Sequence, residues 1–250
     1  MHLTRREFCT AAGSIAVGAL LPGCGSSAGP GSDGARLTAR PGTPTNFLPA
    51  GLSTLGSAPR DGLFYIPPTL HVGTPLPLML ALHGSGGSAD GPINLLRAHA
   101  DAAGFMVLAI DARGATWDAL TGNYGRDVEV IERSLRYVFR NRAVVADRIY
   151  IEGFSDGASY ALGLGLANGD LFSRILAFSP GFVPTQAGRV GRPRVFDSHG
   201  TLDEVLPIGP ASRTIVPALR AEGYDVTYFE FGGGHEVPAD VLDEAVAWLA

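Results

Sequence analysis

One stretch constrains this chain more than any other. In Tyr150-Ile151-Glu152-Gly153-Phe154-Ser155-Asp156-Gly157-Ala158-Ser159, a Gly-x-Ser-x-Gly pattern stands between an apolar run and a segment of small residues. Ile149 and Ile151 alternate as in a strand, and Ala158 to Ala167 reads as a helix. A strand that turns into a helix within so few residues needs glycine on either side of the turn. The residue between them is then held in a strained backbone, with its side chain thrust out at the carboxyl end of the strand. Ser155 is therefore expected to act as a nucleophile, with the N–H groups and positive dipole end of the next helix aimed at a developing oxyanion. A glycine-flanked serine alone is a common surface pattern. The strand before it and the helix after it single this one out.

The rest of the body repeats the strand–helix alternation. Leu63 to Ile66, Pro77 to Leu82, Phe105 to Ile110, Arg174 to Phe178, Arg194 to Phe196 and Val226 to Glu230 read as strands. Several are apolar throughout, as parallel strands covered on both faces must be. Helical spacing runs through Leu95, Leu96 and Ala102, through Asp127 to Phe139, and over Pro210 to Glu222 and Ala239 to Leu249. The pattern predicts an α/β fold, a single domain built on a mostly parallel sheet with helices on both faces and no large lid. Sites in such sheets form outside the carboxyl ends of strands.

A serine hydroxyl needs a base to take its proton, and the base needs a carboxylate to fix its tautomer. The chain order Ser…Asp…His suits this fold class. Asp203, in His199-Gly200-Thr201-Leu202-Asp203-Glu204, and His235, after Gly232-Gly233-Gly234, both lie in loops that follow strands. Asp197 and Glu204 are rivals for the acid, but Asp197 lies in or beside a strand, with less freedom to reach the base. His199 reads as a structural histidine bonded to a backbone carbonyl, and the glycines before His235 suggest a sharply bent loop. The oxyanion hole is expected to pair the N–H of Asp156 with that of Ser85, from His83-Gly84-Ser85-Gly86-Gly87, with Gly84 the nearest competitor. The Asp156 carboxyl itself reads as a solvated helix-start acid. Gly84 and Trp117 are candidates to line the substrate pocket, Trp117 being equally suited to core packing. Arg113 is expected to form a local salt bridge.

Residues 1–23 read as an export signal rather than fold. Arg5-Arg6 and Phe8 resemble a twin-arginine signal, Ala11 to Leu21 is a short apolar segment, and Leu21-Pro22-Gly23-Cys24 is similar to a lipoprotein box. Cys24 is thus a lipidation candidate and a membrane tether. Pro22 is unusual at its position, so simple cleavage and release stays open beside a periplasmic or cell-envelope lipoprotein. Residues 24–45 are expected to be a flexible tether, and residues 46–250 the folded domain. Both cysteines of the chain, Cys9 and Cys24, fall in the leader, so the body forms no disulfide and no cysteine metal site. No spacing of metal ligands and no phosphate loop is present, so no metal and no cofactor is expected. A net charge of −5 without a basic block argues against nucleic-acid binding.

The serine motif, the His-Gly-Thr-x-Asp loop and Gly234-His235-Glu236-Val237-Pro238 together resemble the α/β-hydrolase superfamily. More narrowly they are similar to bacterial phospholipase/carboxylesterase-like serine esterases. Asp111-Ala112-Arg113-Gly114-Ala115-Thr116-Trp117-Asp118, Gly122-x-Tyr124-Gly125-x-Asp127 and the ending Val241 to Leu249 extend the likeness from about Gly62 to Ala250. The resemblance implies a serine carboxylesterase acting on small or medium esters. Polyhydroxybutyrate-type depolymerases and feruloyl esterases share the triad loops. Many of those carry disulfides that this body lacks. A non-catalytic, lipid-tethered binding protein on the same scaffold is the alternative of another class.

Overall fold

Runs that are apolar at every position, such as Met79-Leu80-Ala81-Leu82 and Met106-Val107-Leu108-Ala109-Ile110, demand cover on both faces. In the computed structural model, which describes residues 34–55, 61–68, 71 and 73–250, they receive it. Along the chain lie β1 (Gly51–Thr54), β2 (Gly62–Ile66), β3 (Leu76–Leu82), α1 (Asp90–Ala103), β4 (Met106–Ile110), α2 (Asp118–Thr121) and α3 (Arg126–Asn141). There follow β5 (Val144–Phe154), α4 (Asp156–Ala167), β6 (Arg174–Phe178), β7 (Arg194–Gly200), α5 (Ser212–Ala221), β8 (Val226–Phe231) and α6 (Ala239–Ala247). The strands form one sheet in the order β1-β2-β4-β3-β5-β6-β7-β8. Pairing is antiparallel where β1 meets β2 and β2 meets β4, and parallel across the rest.

Successive strand residues serve opposite layers. Leu80, Leu108 and Ile151 face the layer of α3, α4 and α5, where Ile131, Leu135, Leu164 and Leu219 share one buried cluster with them. Ala81, Val107 and Tyr150 face the other layer, with Ile93 and Leu96 of α1 and Val241 and Leu242 of α6. The parallel register aligns Leu82 with Gly153, Gly153 with Ala177, and Gly200 with Phe231. The loops that leave β3, β5, β7 and β8 therefore emerge along one edge of the sheet. They are the loops that carry Ser85, Ser155, Asp203 and His235.

Two elements were not expected from the sequence. β1 is four residues whose burial alternates at the sheet edge, too short to declare itself, and α2 is a single turn. The domain also begins earlier than residue 46. Ala35, Leu37 and Ala39 are 0%, 1% and 1% exposed and belong to the core. The amide side chain of Asn168 accepts from Leu37 N–H at 2.8 Å and donates to Ala35 O at 2.8 Å. Arg36 pairs with Asp170 at 2.9 Å, and Glu132 accepts from Thr38 N–H at 2.9 Å. The expected tether over 24–45 is thus corrected from Ala35 onward: alternate apolar side chains there find burial, and the polar ones between them find ionic partners. The export signal, Cys24 and the first part of the tether lie outside the described residues.

Candidate active site

The serine turn has the strained form its glycines imply. Ser155 adopts φ 58°, ψ −122°, between the end of β5 and the first turn of α4. Its N–H donates to Phe178 O at 2.9 Å, and its carbonyl accepts from Ala158 and Ser159 N–H at 3.0 and 3.1 Å. Glycine is required here by close approach. A Cβ on Gly153 would lie 2.2 Å from Gly157 O, and one on Gly157 would lie 2.3 Å from Leu82 O. Backbone thus packs directly on backbone, which fixes the serine against both neighbouring strands.

His235 and Asp203 meet that serine. Ser155 Oγ lies 2.8 Å from His235 Nε2, and His235 Nδ1 lies 2.6 Å from Asp203 Oδ2. The second carboxylate oxygen of Asp203 accepts from Val205 N–H at 2.9 Å and Leu206 N–H at 2.8 Å. With those oxygens taken, Nδ1–H donates to the carboxylate and Nε2 is left to accept from the hydroxyl. Burial works to raise the Asp203 pKa. The hydrogen bonds from His235, Leu206 and Val205 outweigh it, so the carboxyl sits below its ordinary value and stays ionised. Asp197 is fully buried inside β7 and pushed up to about 7 by burial, while the ring nitrogens of His235 bond Asp203 and Ser155 instead.

His199 is structural. Its Nε2–H donates to Leu206 O at 2.7 Å and lies 3.3 Å from Asp203 Oδ2, and its Nδ1 accepts from Ser212 Oγ at 2.8 Å. Burial lowers its pKa and holds the ring neutral, in spite of the nearby carboxylate. The glycines before His235 lie in a loop that bends sharply, as expected, with Gly233 N–H donating to Phe231 O at 3.0 Å and Glu236 N–H to Gly234 O at 3.1 Å. None of Gly232, Gly233 and Gly234 has positive φ. A Cβ on Gly200 would lie 2.2 Å from Gly234 O, and Thr201 and Leu202 N–H donate to Phe231 O and Gly233 O at 2.8 and 2.9 Å. The acid loop and the base loop are knit together through their backbones.

The loop after β3 closes the other side. Ser85 N–H and Asp156 N–H, the expected oxyanion donors, are not taken up by any backbone carbonyl in the turns around them. Thr116 Oγ1 donates to the Asp156 carboxylate at 2.5 Å, so that acid is tied down rather than merely solvated. His83 Nε2 accepts from Ala112 N–H at 3.0 Å and Nδ1–H donates to Gly84 O at 2.7 Å, which fixes the loop's course. Trp117 is corrected from a pocket candidate to a core residue. It is 0% exposed, its Nε1–H donates to His83 O at 2.9 Å, and its ring lies against His83 and Tyr160. The indole backs the loop from the protein side, where no substrate reaches. Arg113 forms the local pair expected of it, with Asp61 at 3.4 Å. Asp127 accepts from Arg113 and Asp118 N–H at 2.6 and 2.7 Å, so the Asp111–Asp127 motif is scaffolding for this loop.

A cleft of about 450 Å³ opens beside His235, between the loop after β3, α1 and the start of the α6 region. Gly84 and Ser85 line it, with Leu82, Pro92, Leu95, Phe154 and Val237 supplying apolar wall. The Phe154 ring lies 4.7 Å from the His235 imidazole, centre to centre. The volume and the apolar lining are those of a small-molecule site. Glu152 also lines this cleft and escaped the sequence reading, although an acid inside the apolar run Ile149-Tyr150-Ile151 was a signal in plain view.

A sequence model described as phospholipase/carboxylesterase matches residues 123–250, just over half of the chain and including all three of Ser155, Asp203 and His235. Acyl-protein thioesterase 1 of Gibberella zeae is 32% identical over 154 residues, which cover 54% of this chain and 63% of that protein. Acyl-protein thioesterase 1 of Eremothecium gossypii is 31% identical over 112 residues, 41% of this chain and 47% of that protein. The chain thus spans about half to under two thirds of the length of these curated relatives. The crystal structure of esterase PE8 superposes with a TM-score of 0.64 at 26% identity, covering 77% of this chain and 98% of that one. The sheet order, the serine turn and the sequence match converge: the chain belongs to the phospholipase/carboxylesterase family of the α/β-hydrolase fold.

Proposed function

We propose that this chain is a serine carboxylesterase acting on small or medium esters. Ser155 Oγ attacks the acyl carbonyl while His235 Nε2 takes its proton, and Asp203 holds the resulting imidazolium. The N–H groups of Ser85 and Asp156 stabilise the tetrahedral oxyanion. Collapse expels the alcohol, which receives the proton from His235, and leaves Ser155 acylated. Water, deprotonated by His235, then attacks the acyl group and releases the acid and the free serine. The observation that carries the reading is the unbroken run of hydrogen bonds from Asp203 through His235 to Ser155, at 2.6 and 2.8 Å, beside an apolar cleft.

The test is hydrolysis of p-nitrophenyl esters from acetate to palmitate by protein lacking residues 1–23, with fluorophosphonate labelling alongside. Turnover peaking at short chains is expected. A peak at long chains would shift the substrate class to lipids, and acceptance of polyester oligomers over simple esters would favour a depolymerase. Folded protein that neither turns over nor labels would overturn the reading in favour of a binding protein. The named relatives are thioesterases, so an acyl thioester belongs in the same panel.

We further propose that the enzyme works outside the cytoplasm, tethered through Cys24. Arg5-Arg6 and the Leu21 to Cys24 box support this. Cell fractionation should find the full chain with membranes and its Cys24→Ala variant released. Equal partitioning of the two would remove the tether.

A further inference from the structure

The wall of the cleft beside His235 includes one residue whose carboxyl no described residue satisfies. Glu152 is 1% exposed, and neither carboxyl oxygen has a hydrogen-bond partner among the described residues. It stands on β5 two places before Phe154, on the same face of the sheet, between Leu176 of β6 and Ala81 of β3. Around it the cleft wall is Leu82, Pro92, Leu95 and Val237. No cation lies among the cleft residues, whose other ionisable groups are His83, His235 and Glu236.

Burial without a partner pushes the Glu152 pKa up to about 8, so the group is largely a neutral acid at pH 7. A neutral carboxyl both donates and accepts, and leaving it unpaired in an apolar pocket costs stability. A purely apolar substrate would gain nothing from it, and a leucine there would serve such a substrate better. The complementary ligand group is uncharged and itself donates and accepts: a hydroxyl.

We propose that Glu152 is a specificity-determining residue that makes the cleft beside His235 select esters whose seated chain carries a hydroxyl group. This rests on the esterase reading above. Ser155 lies three places further along the chain than Glu152, so at ~3.3 Å per strand residue the two Cα atoms are roughly 10 Å apart. The hydroxyl is accordingly sought near the end of a six-carbon chain.

Two matched pairs test this, one for each side of the ester. They are p-nitrophenyl 6-hydroxyhexanoate against p-nitrophenyl heptanoate, and 1,6-hexanediol monoacetate against heptyl acetate, each pair exchanging a terminal hydroxyl for a methyl. In one pair the wild type should favour the hydroxylated ester by about tenfold or more in kcat/KM, the range expected when a buried polar group is otherwise left unpaired. Glu152→Leu should reverse that preference, and Glu152→Gln, whose amide also donates and accepts, should keep most of it. Preference for the methyl member in both pairs, or a ratio unmoved by Glu152→Leu, would overturn the proposal. Hydrolysis of p-nitrophenyl acetate by the wild type separates the two readings, since its acyl chain is too short to reach Glu152. If acetate is cleaved and the pairs fail, only the role of Glu152 falls.

Thermal unfolding adds a readout that does not depend on turnover. Between the ordinary glutamate range and about pH 8 the unfolded chain has lost the Glu152 proton and the folded one keeps it, so this group lowers stability as pH rises. The melting temperature of Glu152→Gln relative to wild type should therefore climb from pH 5 to pH 8. A constant difference would mean that the carboxyl is not held unpaired in the cleft.

Discussion

Ser155→Ala is expected to lower kcat/KM for p-nitrophenyl acetate by roughly 10⁵–10⁶-fold, because the members of such a triad act as a unit and losing the nucleophile removes nearly all of its effect. The melting temperature should hardly move. Ser155 Oγ makes its hydrogen bond to His235 only, and alanine at φ 58° bears the same backbone strain as serine. Fluorophosphonate labelling should vanish with turnover, while circular dichroism stays that of the wild type. Retained ester hydrolysis in the folded variant would refute Ser155 as nucleophile.

Asp203→Asn should cost roughly 10⁴-fold in kcat, the scale at which a wrong histidine tautomer cripples a triad. The direction follows from who surrounds the side chain. Val205 and Leu206 N–H hold one carboxylate oxygen at 2.9 and 2.8 Å, so the asparagine carbonyl is drawn to that position. The amide nitrogen then occupies the other, facing His235 Nδ1 at 2.6 Å and His199 Nε2–H at 3.3 Å. A donor now confronts Nδ1, which must accept, and the proton moves to Nε2, where it blocks uptake of the serine hydrogen. Steady-state kinetics with p-nitrophenyl acetate measures this. A loss below tenfold would mean that the carboxylate neither orients the ring nor stabilises its charge.

The parts of the site that were legible in the sequence are those whose chemistry is local. The serine turn announces itself because a Cβ at 153 or 157 would come within 2.2 or 2.3 Å of backbone oxygen, inside the turn and against the neighbouring strand, so only glycine fits. Asp203 and His235 could be sought in loops after strands because a parallel sheet gathers those loops at one edge. What stayed hidden depends on which side of a loop a residue faces. Trp117 follows a strand on the correct edge, yet it packs inward under His83, a direction that spacing does not encode. The core residues Ala35, Leu37 and Ala39 alternate with Arg36, Thr38 and Arg40 in a strand-like period of two. That signal was masked by its neighbours, a stretch rich in glycine, serine and proline. Glu152 was visible as an acid in an apolar strand, but only the packing tells an unpaired carboxyl from a paired one.

Trp117 carries one more consequence. The chain has two tryptophans, and they stand at opposite poles of the sheet. Trp248 lies between Arg174 and Arg194, at the amino ends of β6 and β7, with the guanidinium groups 5.5 and 4.9 Å from its ring. Trp117 lies beneath the loop that bears Ser85, in contact with a histidine ring and sealed from solvent. The molecule thus contains two tryptophan fluorophores in unlike surroundings, one joined through a hydrogen bond to the active edge and one remote from it. With Trp248 replaced by phenylalanine, the remaining tryptophan emission, excited at the red edge where tyrosine does not absorb, becomes an optical gauge of the loop's position, read without any attached dye.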